Sequence, residues 1–109
     1  MPKLVLLDEN LPQNLRLLLT GNTTITVGYR GWAGMSNGVL IAAAEEAGFE
    51  VMITADQGLN YQQNLSGRKL AVVVLSTNRN SLVIENALRI LDTIDTVQPG
   101  GFAFLDIGF

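Results

Sequence analysis

The sequence predicts an α/β domain of three layers, helix, sheet and helix, around a mainly parallel five-stranded sheet in the order 2-1-3-4-5. Three observations lead there. Short aliphatic runs alternate with segments of helical period along the whole chain. Two of those runs, Leu4 to Leu7 and Leu70 to Leu75, carry no polar residue, as strands buried on both faces do. Right-handed crossovers then leave few ways to wind such units.

The elements follow in order. Leu4 to Leu7 is the first strand, ended by Asp8-Glu9-Asn10. Leu11, Leu15, Leu18 and Leu19 recur at helical spacing, Asn10 can cap, and Pro12 lies in the first turn where its missing N–H costs nothing. A helix over 11 to 20 is expected, stopped by Gly21-Asn22. Thr23 to Val27 is β-branched and reads as a short strand. Gly28 to Gly34 holds three glycines in seven positions and reads as a loop. Ser36 or Asn37 can cap a second helix through Leu40, Ile41, Ala44 and Ala47, ended by Gly48. Phe49 to Thr54 is a strand that delivers Asp56 at its end. Residues 58 to 65 read as a short polar helix, and Leu70 to Leu75 as the fourth strand. Asn80 or Ser81 caps a helix through Ile84, Ala87, Leu88, Leu91 and Ile94, and Phe102 to Ile107 is the last strand. Residues 1 to 109 make one domain, with no repeat or linker.

Composition narrows the chemistry. The 109 residues are 48% apolar and 16% charged, a globular balance that needs no disulfide or structural metal. There is no cysteine and no histidine, which excludes thiolate chemistry and removes the commonest general base and transition-metal ligand. Catalysis would have to run on carboxylates, hydroxyls, amides, lysine or arginine. No stretch reads as a signal peptide or a membrane span, so a cytoplasmic protein is expected, with no membrane partner. The net charge of −3 argues against broad attraction to nucleic acid, although the seven lysines and arginines can form a local patch.

In an open α/β sheet the ligand site lies beyond the carboxyl ends of the strands where the winding reverses, here between strands one and three. Asp8 and Asp56 end those strands, and Glu9 is adjacent. Two carboxylates about 4 Å apart at an effective dielectric near 20 repel by roughly 4 kcal/mol, or about three pKa units. Either a cation sits between them or one stays protonated. Mg²⁺ or Mn²⁺ suits an all-oxygen donor set. The plain alternative is that both aspartates are turn formers that bond the backbone of the following loops, and Glu9 alone reads as a solvated loop residue. Asn37 can offer an amide oxygen to a metal or ligand, but a helix cap is the simpler reading. Arg30 and Arg79 follow strands at the site end and can hold phosphates, whereas Arg68 and Lys69 precede a strand and belong at the far end. Tyr29 and Trp32 can stack bases, or pin their loop to the core. Tyr61, Gln62, Gln63 and Asn64 can donate hydrogen bonds to a ligand, or form a solvated helix face.

Leu6-Leu7-Asp8-Glu9-Asn10-Leu11-Pro12, Gly31-Trp32-Ala33-Gly34 and Ile53-Thr54-Ala55-Asp56 together resemble the small PIN-like proteins of largely uncharacterised function, often encoded beside antitoxin-like genes. The likeness extends through Tyr61 to Leu65 and Val72 to Ser76 and so covers nearly the whole chain. It implies a PIN-type fold and, by analogy with VapC-type PIN nucleases, a Mg²⁺-dependent ribonuclease acting on RNA, with an antitoxin-like protein as partner. Asp8 and Asp56 match the family's acidic strand-end positions and Glu9 the acid beside the first. Many relatives carry further acids where this chain has Asn37 and Gly58, so the acidic cluster is thinned and metal binding weakened. Two other readings compete. A receiver-type phosphoacceptor domain would use Ser76 after strand four, but it also needs a lysine after strand five, and no lysine follows position 69. A non-catalytic interaction module, for protein or RNA or as a homodimer burying Trp32 or the last strand, would not depend on Asp8 or Asp56.

Overall fold

Aliphatic runs form the sheet because both of their faces are covered. In the computed structural model, which describes residues 2–59 and 67–108, β1 (Leu4–Leu7), β2 (Thr23–Thr26), β3 (Val51–Thr54), β4 (Ala71–Leu75) and β5 (Phe102–Leu105) make one sheet. Its order is β2-β1-β3-β4-β5, and every neighbouring pair is parallel. This is the predicted architecture, with strand limits within two residues of expectation.

Side-chain alternation along the strands separates two cores. On one face Val5, Leu7, Val51, Ile53, Val73 and Leu75 pack with Leu11, Leu15 and Leu19 and with Val83, Ala87, Ile90 and Ile94. On the other face Leu6, Met52, Val72 and Val74 pack with Leu40, Ile41, Ala44 and Leu59. Helix α1 (Asn37–Glu46) covers the second face, and α2 (Asn80–Glu85) and α3 (Ala87–Thr96) cover the first. Gly48, at φ +90°, ends α1 in a left-handed turn that a side chain would resist.

Three helical expectations are corrected. The helix over 11 to 20 is a single 3-10 segment, Gln13–Leu17, because the residue expected to cap it is used elsewhere. The Asn10 side chain reaches across to β3, accepting from the Ala55 N–H at 3.3 Å and donating to the Thr54 hydroxyl at 3.4 Å. Leu11, Leu15 and Leu19 are still buried, so the leucine spacing reported the contact with the sheet while the backbone met it with a tighter, shorter turn. Second, the helix expected from Asn80 or Ser81 to Ile94 breaks at Asn86 (φ −101°, ψ 17°). Its side-chain amide donates to the Leu82 carbonyl at 2.8 Å, the oxygen that also receives the Asn86 N–H, and this competition bends the backbone. Third, Arg79 rather than Asn80 or Ser81 holds the capping position before α2; Ser36 holds the one before α1 as expected, and neither makes a side-chain cap hydrogen bond. Of the polar helix expected over 58 to 65, only Gly58 and Leu59 are described; residues 60–66 lie outside the described residues.

At the amino end of the sheet, Glu45 in the last turn of α1 receives the N–H groups of Lys69 and Leu70 at 2.6 and 3.3 Å and pairs with Arg68 at 3.3 Å. Those backbone donors first, and then the Arg68 charge, hold its carboxyl below the usual range. Lys3 donates to the carbonyls of Ile94 and Val97, an ammonium at a helix C-terminus where the partial charge is negative. A hollow of about 670 Å³ opens between these groups, at the opposite end of the sheet from Asp8 and Asp56.

Candidate functional site

Register brings the two aspartates together. Leu7 is paired with Ile53, and the Asp8 N–H continues that ladder to the Ile53 carbonyl at 3.0 Å. One step further Asp8 stands against Thr54, on the α1 side of the sheet. The Thr54 hydroxyl, fully buried, donates to Asp8 Oδ2 at 2.6 Å and accepts the Asp56 N–H at 3.0 Å. One side chain therefore ties the first carboxylate to the backbone that carries the second.

Each carboxylate is also bonded to its own loop. Asp8 Oδ1 accepts the Glu9 N–H at 2.8 Å, and Asp56 Oδ1 accepts the Gly58 N–H at 3.0 Å. The turn-forming role considered as the alternative is therefore present at both positions. Asp8 is only 9% exposed, and a buried anion requires such donors. Asp56 Oδ2 takes a further bond at 2.7 Å from Asn37 Nδ2. Asn37, read as a cap or as an amide oxygen for a metal, is the first residue of α1 and turns its N–H toward Asp56 instead. That contact sets the carboxylate at the positive end of the helix.

The remaining sequence candidates are dispersed. Glu9 is exposed, and its tie to Asp8 is through its backbone. Among the described residues no three of His, Cys, Asp and Glu gather as a group that could hold a metal. Arg30 is drawn onto rings: its guanidinium lies 4.5 Å from the Trp32 centroid and 5.9 Å from that of Phe49, the residue that leads into β3. Trp32 meets Phe49 edge to face at 5.9 Å, which pins the glycine-rich loop to the core, while Tyr29 of the same loop is exposed. Arg79 is exposed at the carboxyl end of β4, ahead of α2, with its N–H on Thr77 Oγ1. Arg68 is at the far end as expected. Gln62 and its neighbours Tyr61, Gln63 and Asn64 lie outside the described residues.

Ser76, the hydroxyl that a receiver would need, holds the chain that follows β5: it accepts the Ile107 N–H at 3.0 Å and donates to the Gly108 carbonyl at 3.2 Å. Gln57 donates to the Ser76 carbonyl, which links the Asp56 loop to β4.

Two site residues escaped the sequence reading, Thr54 as the hub and Asn10 as its neighbour. Thr54 had a signal, since it is the polar last residue of a strand whose other members, Val51 to Ile53, are apolar and fully buried. A polar side chain there must find partners beyond the strand end. Asn10 had none, because its cap reading was equally good locally.

Within this constellation each carboxylate oxygen has accepted one hydrogen bond and keeps a second lone pair. Two such carboxylates meet the minimum protein contribution to a hard divalent cation, which commonly keeps several waters and takes substrate phosphate oxygens. No helix among the described residues is long and apolar enough to cross a membrane. No family model, no curated protein and no solved structure matches the chain significantly.

Proposed function

We propose that the chain is a PIN-like domain in which Asp8 and Asp56 hold Mg²⁺ or Mn²⁺ and RNA is the substrate of hydrolysis. The observation that carries this reading is the shared Thr54 hydroxyl, with Asp8 Oδ2 at 2.6 Å and the Asp56 N–H at 3.0 Å. It joins two acids 48 positions apart in sequence at the winding reversal of a parallel sheet.

The chain's own residues do the following. Asp8 and Asp56 supply anionic oxygens. Thr54, Asn37 and the Glu9 and Gly58 amides hold them in place. Glu9, exposed and next to Asp8 in the chain, is the assisting acid of this reading. Arg79 offers a cation to phosphate from the end of β4. A bound divalent ion adds charge neutralisation at phosphate and a lowered pKa for its water. With only two acids in the constellation, weak metal affinity and slow turnover are expected. The resemblance in the sequence supplies the further expectation of an antitoxin-like partner, as for the toxin half of a toxin–antitoxin pair.

A second reading, a non-catalytic module that binds RNA or protein, is favoured by the Asn37 amide. With that donor on Oδ2 and the Gly58 N–H on Oδ1, Asp56 is satisfied without a cation. Calorimetric titration of Mg²⁺ and Mn²⁺ into wild type and Asp56→Asn, with single-stranded RNA cleavage assayed alongside, separates the two. Metal binding lost in Asp56→Asn together with metal-dependent cleavage supports the nuclease. Absence of both at millimolar metal removes it and leaves the binding module.

A further inference from the structure

Most of the arginines are spent on the fold. Arg30 lies on Trp32, Arg68 pairs with Glu45, and Arg89 bonds Asn86 and the Asp106 carbonyl. Arg16, exposed in the 3-10 segment, makes no hydrogen bond, ion pair or ring contact through its side chain among the described residues. It lines a hollow of about 500 Å³ beside β2, together with Thr24, Ile25, Thr26 and Tyr29. None of the ten acids of the chain lines that hollow. An unopposed guanidinium in a concave site selects an anion, even in a chain of net charge −3.

The backbone of the hollow agrees. Thr23 and Val27 donate inward, to the Lys3 and Leu7 carbonyls, so the Thr24 and Thr26 N–H groups point out of the sheet edge. The chain itself takes the acceptors of Thr26: its carbonyl receives the Arg30 N–H at 3.2 Å, and its hydroxyl receives the Tyr29 N–H at 3.1 Å. What is left at Thr26 is a donor. That suits an anion and not an added strand, whose ladder would need the Thr26 carbonyl as well. In the same wall the Thr24 hydroxyl is buried with no hydrogen-bond partner, a polar atom that the chain alone leaves unmet.

Tyr29 supplies a ring. Its N–H fixes its backbone on Thr26, yet the residue is 85% exposed, unlike Trp32 of the same loop, which packs on Phe49. An aromatic ring held in solvent beside a cation is the combination that stacks a base and tracks its backbone. Thr26 is paired with Leu7, the residue before Asp8. This wall of the hollow therefore stands one strand spacing, about 5 Å, from the end of β1 that carries the first carboxylate.

We propose that the hollow is a nucleotide subsite for single-stranded RNA, in which Arg16 and the Thr26 N–H hold a phosphate and Tyr29 stacks on a base. The inference rests on the RNA part of the proposed function and needs neither the metal nor hydrolysis.

The test is fluorescence anisotropy of a short labelled oligouridylate titrated with the whole chain in EDTA, at several salt concentrations around 0.15 M. Arg16→Ala should lower affinity about tenfold and reduce the slope of log affinity against log salt by about 0.7. Tyr29→Ala should lower affinity about fivefold or more and leave that slope unchanged. Tyr29→Phe keeps the ring and should bind as wild type does, as should Lys69→Ala, which removes an exposed cation at the opposite end of the sheet. Both altered side chains are exposed and bond nothing in the fold, so the variants should keep the wild-type far-UV circular dichroism. A wild type that binds no RNA up to submillimolar protein overturns the proposal. So does affinity indifferent to Arg16→Ala or to Tyr29→Ala, or lowered as much by Lys69→Ala. The nuclease reading is judged separately, by the Asp56→Asn titration and cleavage. Binding that depends on Arg16 and Tyr29 without metal-dependent cleavage sustains the subsite and removes the nuclease; cleavage with binding indifferent to both residues does the reverse.

Discussion

Replacing Thr54 by valine removes the hub of the site while keeping its shape. The hydroxyl is fully buried, donates to Asp8 Oδ2 at 2.6 Å and accepts the Asp56 N–H at 3.0 Å. A hydrogen bond to a charged group is worth about 1.5–3 kcal/mol, and a backbone donor left without its partner costs about 1 kcal/mol more. Thr54→Val should therefore destabilise the fold by about 3 kcal/mol, a large share of the 5–15 kcal/mol typical of such domains. Thr54→Ser keeps the hydroxyl and loses one buried methyl, so it should cost about 1 kcal/mol. Urea unfolding followed by far-UV circular dichroism at neutral pH measures both. If Thr54→Val proves as stable as Thr54→Ser or more so, the hydroxyl is not what joins Asp8 to Asp56 and the geometric basis of the site is lost. On the nuclease reading Thr54→Val also weakens Mn²⁺ binding, whereas Thr54→Ser retains it.

Other perturbations probe separate parts of the molecule. Asn37→Asp replaces a donor 2.7 Å from Asp56 Oδ2 with a third carboxylate; the metal-free protein should lose about 2–4 kcal/mol, and millimolar Mn²⁺ should raise its melting temperature more than it raises that of wild type. For Glu45 the folded carboxyl titrates below its ordinary value of 4.5, so its contribution is present above that value and lost as pH falls through the lower folded one. The urea midpoint of wild type should accordingly drop below pH 4.5 more steeply than that of Glu45→Gln. Gly100 has φ +74°, and a Cβ there would stand 2.4 Å from the Arg68 carbonyl oxygen. Gly100→Ala should cost about 2–4 kcal/mol in urea unfolding, from left-handed strain and overpacking together, whereas Gly34→Ala, with open space around it, should cost only the strain, about 1 kcal/mol.

What the sequence by itself determined is whatever follows from apolar area. Leu4–Leu7, Val51–Thr54 and Ala71–Leu75 are strands because nothing in them but Thr54 resists burial on two faces. Their alternation with Leu40, Ile41 and Ala44 and with Ile90 and Ile94 requires a parallel sheet clad on both sides, and the 2-1-3-4-5 order puts Asp8 and Asp56 at its reversal. Hydrophobic burial is non-directional, and local spacing reports it. Tertiary structure decided where the short polar side chains point. Asn10 left a helix cap for Ala55 and Thr54, Asn37 presented its N–H to Asp56, and Asn86 took a carbonyl from its own helix. Arg30 settled on the Trp32 ring. Hydrogen bonds and ring contacts depend on a partner's position to within tenths of an ångström, and those partners arrive from strands and loops dozens of residues away.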